Sequence, residues 1–310
     1  MTPPHSHDPR LTEQRNARTE RVDVASTLEI VDLINAEDAL VAPAVRLERE
    51  RIARAIELAV VALQGGGRLI YAGAGTSGRL GVLDASECPP TFGTPPTMVV
   101  GLIAGGYQAL VKSIEGAEDD VNAGAQAIDQ AGVTRADFVL GIAASGTTPF
   151  VRAALAHAQT LGAVTGLVSC SDPPAVLADT CDVLILPKVG PEAVTGSTRM
   201  KAGTATKLVL NTITTGAMIR LGKVYGNLMV DLMATSDKLR DRGERIVMEC
   251  GRVDRARARA AIEDTGGSVK LAIVMVRLGV GREEAQRALE AAGGVVRRAI
   301  GDPPPVAPAG

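Results

Sequence analysis

Two glutamates, Glu87 and Glu118, are the candidates for acid–base chemistry in this sequence of 310 residues. Enzymes most often move protons with histidine, but only three histidines occur here, two of them in a Pro-containing leader. The third, His157, stands between two alanines on an expected helix and is interpreted as structural. Carboxylates must therefore do such chemistry. Spacing alone leaves an alternative for Glu118, because an acidic run such as 115–120 usually forms a solvated face or caps a helix.

The glycine-rich loop Gly73–Gly78 is a second feature with chemical meaning. Its letters match the dinucleotide fingerprint G-x-G-x-x-G, and it follows an expected strand and opens an expected helix. That fingerprint also needs an acidic residue after the second strand, to bind the ribose hydroxyls. Here the second strand, 98–103, is followed by Ala-Gly-Gly, so a nicotinamide enzyme is a poor alternative. The loop favours an anion, because backbone N–H groups at a helix N-terminus attract negative charge.

Three turns rich in hydroxyl groups suit the phosphate and hydroxyls of a sugar phosphate. The segments 69–78 and 139–148 resemble each other, so two strand ends are expected to build one site. The alternative is that these Ser and Thr residues only cap helices. The candidate substrate-binding residues are Gly75, Thr76 and Ser77 in the first turn, Ser145, Gly146, Thr147 and Thr148 in the second, and Ser197, Thr198 and Lys201 in the third.

Composition excludes several classes of function. The net charge is −2 with scattered basic residues, so neither nucleic acid nor a membrane surface is an expected partner. The four cysteines lack C-x-x-C spacing and nearby histidines, which argues against a metal site or disulfides and for a reducing, cytoplasmic location. No cofactor and no membrane span are expected, because the sequence has no metal-ligand pattern and no sufficiently long apolar run.

Short apolar runs alternate with helical patterns through the middle of the chain. Buried parallel strands read as continuous apolar runs, so the sequence predicts an α/β fold with a doubly wound, mostly parallel five-stranded sheet. The Pro-Pro pair at 89–90 is expected to end the helix after the glycine-rich loop, at about residue 85. The predicted strands are 68–72, 98–103, 138–143, 164–169 and 183–186.

Helical patterns flank this middle region on both sides. One amphipathic helix is predicted over 227–242, followed by short helices near 254–263, 268–278 and 282–290. The expected organisation is a disordered leader (1–20), an N-terminal helical segment (21–64), a sugar-phosphate-binding domain (65–224), a C-terminal helical region (225–301) and a disordered tail (302–310).

The segment Gly-Ala-Gly-Thr-Ser-Gly-Arg-Leu-Gly-Val-Leu-Asp-Ala-Ser-Glu-Cys-Pro-Pro-Thr (73–91) resembles the signature of the N-acetylmuramic acid 6-phosphate etherase family. Further similar segments lie at 100–106, 115–119, 141–146, 195–205 and 222–231, and the resemblance extends over roughly residues 12–300. It implies a sugar isomerase (SIS) domain, a small C-terminal helical domain, a homodimer, and no metal or organic cofactor. It also implies a phosphorylated amino-sugar substrate from cell-wall recycling, whose ether is cleaved to N-acetylglucosamine 6-phosphate and D-lactate.

The same resemblance implies roles for the two glutamates. Glu87 matches the acid that protonates the departing lactate, and Glu118 matches the base that removes the C2 proton. Two positions depart from the family pattern: Thr147 stands where the family has Arg, and Ser236 where Asn is common. The first departure affects how the second loop contacts its ligand.

Two other functions on the same fold remain as alternatives. An aldose–ketose isomerase would need a glutamate base and a phosphate site but would release no lactate. A non-catalytic sugar-phosphate sensor would need the loops without both glutamates. The presence of Glu87 and Glu118 within matching motifs favours the etherase.

Overall fold

A computed structural model describes residue 8, residues 10–232 and residues 237–303. Its centre is a five-stranded, wholly parallel sheet with the order β2-β1-β3-β4-β5. Leu69 of β1 pairs with Val99 of β2 on one side and with Phe138 of β3 on the other. The predicted α/β sheet is therefore confirmed. The strands are β1 Leu69–Gly73, β2 Val99–Ile103, β3 Phe138–Ile142, β4 Val164–Val168 and β5 Val183–Ile185.

Helices cover both faces of this sheet, as continuous apolar strands require. On one face, Ile70 and Val139 pack with Leu155 in a buried cluster. On the other face, Gly81 lies so close to Tyr71 that an added Cβ would come within 3.0 Å of the Tyr71 Cβ. The helices of this part are α1 Thr27–Asp38, α2 Val41–Leu47, α3 Arg49–Gln64, α4 Gly75–Phe92, α5 Gln108–Val111, α6 Val121–Gln130, α7 Pro149–Thr160, α8 Ala175–Thr180 and α9 Lys201–Arg220.

Helix α4 does not end where the sequence predicts. It continues through Pro89 and Pro90 and ends at Phe92, where the amide of Gly93 donates to the Pro89 carbonyl over 2.9 Å. Because a proline fixes φ at a helical value, Pro89 and Pro90 can occupy the last turn of α4, although each removes one N–H hydrogen bond of the helix. Glu87 is consequently a helical residue of α4, and the expectation that this helix ends at about residue 85, before Glu87, is wrong.

The supposed disordered leader is ordered from residue 10 onward. It forms 3-10 turns at Leu11–Glu13 and Ala17–Thr19, and the Thr19 hydroxyl donates to the Ala193 carbonyl over 2.8 Å. The amide of Gly196 donates to the Thr12 carbonyl over 3.1 Å, which ties the same segment to the turn before α9. The expectation of disorder is therefore wrong for 10–20, while residues 1–7 and 9 lie outside the described residues.

The chain separates into two compact units, 1–86 with 96–215 and 87–95 with 216–310. The second contains a hairpin of β6 Val224–Tyr225 and β7 Leu228–Met229, followed by α10 Asp237–Gly251, α11 Arg255–Asp264, α12 Val269–Leu278, α13 Arg282–Ala291 and α14 Val296–Ala299. Its buried apolar residues include Val230, Ile246, Val247, Ile262, Ile273 and Val274. The expected domain limits at 21–64, 65–224 and 225–301 stay predictions.

The hairpin corrects the predicted helix over 227–242. Gly226, with φ +61, and Asn227 form a two-residue turn. This turn joins two antiparallel strands, so the chain is not helical here. The described helix is Asp237–Gly251, and 233–236, with the departure at Ser236, lie outside the described residues.

The expected tail is also anchored where it is described. The Tyr225 hydroxyl donates to Asp302 over 2.5 Å and Arg297 donates to the same carboxylate over 2.8 Å. The expectation of disorder is thus wrong for residue 302, and 304–310 lie outside the described residues.

Candidate functional site

The site lies at the carboxyl ends of β1 and β3, the two central strands. The chain leaves β1 toward β2 at one edge and leaves β3 toward β4 at the other, so the connections diverge between these two strands. Ligands of open parallel sheets bind in the crevice at such a switch point. A cavity of about 390 Å³ lies there, and the turns after β1 and β3 both contribute to it. The similarity of 69–78 to 139–148 thus corresponds to two turns that line one cavity.

Most of the predicted binding residues line this cavity. Gly146 lies between two of them but is itself buried. Ser197 is not among the lining residues that the structure describes, although its neighbours Gly196 and Thr198 are. The lining consists of Arg10, Glu13, Ala74, Gly75, Thr76, Ser77, Glu118, Asp119, Ala144, Ser145, Thr147, Thr148, Pro149, Gly196 and Thr198.

The first turn requires glycine because the backbone folds tightly on itself. A Cβ on Gly73 would lie 2.7 Å from the Gly78 nitrogen, closer than any real side chain could sit. Helix α4 begins at Gly75 at the edge of the cavity, so its unpaired N–H groups and the hydroxyls of Thr76 and Ser77 are available to an anion.

The second turn orders its own hydroxyl groups. The oxygens Ser145 Oγ and Thr147 Oγ1 are 2.9 Å apart, and the Thr147 amide donates to Ser145 Oγ over 3.3 Å. Thr148 precedes α7, and no capping bond from its side chain occurs within the part of the chain that is described. At this position the cap-only interpretation of the hydroxyl residues therefore fails.

Glu118 is fixed beside the second turn through its backbone. Its carbonyl accepts from the amide of Phe150, in the first turn of α7, over 3.0 Å. Asp120 rather than Glu118 caps α6, since its Oδ1 accepts from the Ala123 amide over 2.9 Å. The exposed Glu118 carboxylate is therefore left facing the cavity.

Glu87 is exposed on α4, three residues beyond the buried Asp84. Asp84 accepts from the Tyr71 hydroxyl over 2.8 Å, from Asn211 Nδ2 over 2.5 Å and from the Thr214 hydroxyl over 3.1 Å. Burial raises the pKa of the Asp84 carboxyl, while these hydrogen bonds act in the opposite direction. The network anchors the middle of α4.

Lys201 is buried in the protein interior and is not among the described residues that line the cavity. Its side chain is 1% exposed, and its ammonium lies 2.5 Å from Glu37 Oε2. The second carboxylate oxygen of Glu37 accepts from Arg18 over 2.5 Å. The hydrogen bond from Arg18 is the main reason that the pKa of Glu37 falls to about 2; burial opposes it and Lys201 assists it. The cation predicted for the ligand is thus held by a buried carboxylate.

Among the lining residues that were not predicted are two charged residues of the N-terminal segment, Arg10 and Glu13. They lie in the segment expected to be a disordered leader, and no motif distinguishes them there. Arg10 donates to both oxygens of Asp8, over 2.9 and 2.6 Å. Only the hydrogen bonds that Thr12 and Thr19 share with distant loops show why this segment reaches the cavity.

Two kinds of feature are absent from the described residues. These residues contain no group of three or more His, Cys, Asp or Glu side chains that could hold a metal ion. Within the same ranges, no helix combines the length and the apolar character that crossing a membrane requires.

Comparison with known proteins identifies close relatives. The N-acetylmuramic acid 6-phosphate etherases of Serratia proteamaculans (strain 568) and Yersinia pestis (strain Pestoides F) are each 53% identical to this chain over 290 residues. These alignments cover 94% of this chain and 97% and 98% of the relatives. The model of the glucokinase regulatory protein N-terminal SIS domain matches residues 51–159.

The solved structures to which this chain is similar are more distant in sequence. A phosphoheptose isomerase from Neisseria gonorrhoeae is 17% identical, with a TM-score of 0.45, covering 61% of this chain and 97% of its own. A protein of E. coli is 19% identical, also with a TM-score of 0.45, covering 63% of this chain and 94% of its own.

Proposed function

The chain belongs to the N-acetylmuramic acid 6-phosphate etherase family, and from this membership we propose how its own residues divide the reaction. It is a carbon–oxygen lyase that cleaves the D-lactyl ether of N-acetylmuramic acid 6-phosphate. The products are N-acetylglucosamine 6-phosphate and D-lactate. The reaction proceeds by elimination of lactate and then addition of water.

Glu118, which lines the cavity, is the base in this proposal. Glu87, which is not among the lining residues that the structure describes, is the acid that the family resemblance assigns. Opening of the sugar ring exposes an aldehyde at C1, which acidifies the proton on C2. Glu118 removes that proton, the C3–O bond breaks, and Glu87 protonates the lactate oxygen as its electron pair leaves. Water then adds at C3 of the unsaturated aldehyde: Glu87, now a carboxylate, accepts a proton from the water, and Glu118 returns its proton to C2.

The cavity at the switch point is the proposed phosphate site. Its turns offer the hydroxyls of Thr76, Ser77, Ser145, Thr147 and Thr148 together with N–H groups at the start of α4. Such donors bind a phosphate without a lysine, because each can direct an N–H or O–H at a phosphate oxygen. Gly146, Ser197 and Lys201 take supporting positions: the first two shape the turns, and Lys201 holds the start of α9.

The position of Glu118 carries this proposal. Its carboxylate lines the same cavity as both hydroxyl turns, so a base and an anion site adjoin one bound sugar. An aldose–ketose isomerase would use the same base but would not need a proton donor for a leaving alcohol. A sensor would need no base at all.

We also propose that the enzyme is a cytoplasmic homodimer. Several large apolar side chains of the N-terminal segment are exposed, which suits a surface that a second copy covers. They are Val24, Leu28, Val31 and Leu47. Free cysteines among the described residues suit a reducing compartment.

The test of the proposed function is lactate release from N-acetylmuramic acid 6-phosphate by the wild type, Glu87→Gln and Glu118→Gln. We expect each variant to lose at least about 10³-fold in kcat, since each removes a proton-transfer group. Glu57→Gln, at an exposed position on α3, is the control and should keep full activity. Absence of lactate from the folded wild type would sink the etherase assignment, and lack of solvent oxygen at C3 of the product would exclude hydration.

A further inference from the structure

A second cavity of about 310 Å³ adjoins the first. The two share Ala74, Gly75 and Glu118. The second is otherwise lined by Arg79, Ala104, Ala109, Ser113, Ile114, Glu115, Gly116 and Ala117. Glu118, the proposed base, therefore lies at the boundary between two spaces of different chemistry.

Arg79 is the one basic residue among the described residues that line the second cavity. Its Nε donates to the Leu110 carbonyl over 3.1 Å, which fixes the plane of the guanidinium. Its two terminal nitrogens have no hydrogen-bond or ion-pair partner within the described ranges. A guanidinium held by Nε presents the rest of its donors as a fork that matches a carboxylate.

The acidic side chains of this cavity make a cation necessary for any anionic ligand. Glu115 and Glu118 both line it, and a carboxylate that enters beside two carboxylates is repelled unless a positive charge compensates. Apart from Ser113, the other side chains of the wall are apolar and include Ala104, Ala109 and Ile114. The cavity therefore fits a short ligand with one carboxylate and one methyl group.

We propose that Arg79 binds the carboxylate of the D-lactyl group in this second cavity, with the phosphate of the same substrate in the first. This inference rests on the proposed function, because only an etherase substrate carries a lactyl group. The substrate then spans the two cavities with Glu118 beside the sugar between them. The lactyl methyl group packs against Ala104 and Ala109. Arg79 makes the enzyme selective for this substrate over sugar phosphates that lack the lactyl ether.

The test compares wild type, Arg79→Ala and Arg79→Lys on two substrates. These are N-acetylmuramic acid 6-phosphate and its lactyl carboxamide, which has the same shape without the charge. For lactate release we expect Arg79→Ala to lower kcat/KM by about 100-fold, and Arg79→Lys by about 10-fold, since Lys keeps charge but not the fork. On the carboxamide, Arg79→Ala should change release of lactamide by less than about 3-fold, because no ion pair exists to lose.

A partial reaction separates binding of lactate from damage to the site. N-acetylglucosamine 6-phosphate lacks the lactyl group, so exchange of its C2 proton in D2O tests Glu118 and the phosphate site alone. We expect Arg79→Ala to leave this exchange within about 3-fold of the wild type. Arg152→Ala, an exposed arginine of α7 that lines neither cavity, is the matched control and should behave as the wild type in every assay.

Two outcomes would overturn the proposal. Equal losses by Arg79→Ala on the acid, the carboxamide and the exchange reaction would mean that Arg79 acts only by holding Leu110. Equal kcat/KM of the wild type for the acid and the carboxamide would show that no cation binds the lactyl carboxylate. This comparison uses the wild type alone, so it does not depend on the folding of a variant. A wild type that releases no lactate from any substrate is a different failure, that of the proposed function itself.

Discussion

The carbonyl of Glu118 accepts a hydrogen bond of 3.0 Å from the amide of Phe150. Phe150 is 2% exposed and sits in the first turn of α7, directly after the hydroxyl-rich turn 145–148. An orphan amide at a helix N-terminus is thus satisfied by the backbone of the proposed base. The position of Glu118 relative to the second turn is fixed by main-chain atoms, and its side chain stays exposed.

Substitutions of the Glu118 side chain should therefore lower catalytic activity without lowering the free energy of unfolding. Because the Phe150 bond uses the backbone, Glu118→Gln and Glu118→Asp should keep it and change the free energy of unfolding by less than about 0.5 kcal/mol. Glu118→Asp should still lose about 10²-fold in kcat, since the shorter chain withdraws the carboxylate from C2. Urea unfolding and lactate release measure the two effects. A loss of stability above about 2 kcal/mol would contradict this independence.

Thr147 should govern affinity for the phosphate. Thr147→Val removes the hydroxyl paired with Ser145 and should raise KM about 3- to 10-fold, the effect of one lost hydrogen bond. Thr147→Arg restores the residue of the family pattern and should lower KM, less so at high salt because charge attraction is screened. Steady-state kinetics at about 50 and about 500 mM KCl measure both. An unchanged KM in both variants would show that this turn does not touch the phosphate.

The sheet was predictable because its signal is local. Strands such as Phe138–Ile142 are buried on both faces and read as unbroken apolar runs. The two cavity-lining turns were predictable for the same reason, since each follows such a strand with glycine and hydroxyl residues. The sequence-based predictions failed where one residue type is compatible with two local structures. Pro89 and Pro90 stop many helices but fit within α4, and Gly226-Asn227 makes a hairpin inside an otherwise helical pattern.

The remaining failures depend on contacts that are distant in sequence. Arg10 reaches the cavity because Thr12 and Thr19 are bonded to residues more than 170 positions away, which no spacing reveals. Lys201 follows a hydroxyl cluster and resembles a phosphate ligand, yet Glu37 lies 164 positions earlier and holds it. A charged residue in a motif can be assigned to a ligand only when its protein partners are known.

The burial of Lys201 predicts a defect in stability. Lys201→Met should lower the free energy of unfolding by about 3–5 kcal/mol, because it leaves the buried Glu37 with one fewer cation. Glu37→Gln combined with Lys201→Met should recover part of that loss, since no buried charge then lacks a partner and the Arg18 left behind is largely exposed. Urea unfolding measures the series. If Lys201→Met raised KM without loss of stability, Lys201 would be a ligand of the substrate after all.

Glu37 should also make stability depend on acid pH. Its pKa is lowered to about 2 from an ordinary 4.5, mainly by Arg18, so the unfolded chain binds its proton first. The stabilisation is fully present above about pH 5 and is lost as pH falls from there toward 2; at most it is about 3 kcal/mol. The free energy of unfolding of wild type minus that of Glu37→Gln isolates this term. The difference should be constant from about pH 7 to 5 and shrink by about pH 3, and a difference independent of pH would contradict the expectation.

Asp84 and Tyr71 should be strongly coupled. The Tyr71 hydroxyl donates to one carboxylate oxygen of Asp84, while Asn211 and Thr214 donate to the other, all in a buried setting. Asp84→Ala should cost about 3 kcal/mol because three buried donors lose an acceptor, whereas Tyr71→Phe, which deletes one hydroxyl, should cost about 1 kcal/mol. The double variant should cost less than the sum, since its two changes remove the same hydrogen bond. A double-mutant cycle in urea measures the coupling. Strict additivity would mean that the Tyr71 hydroxyl does not stabilise the protein through its bond to Asp84.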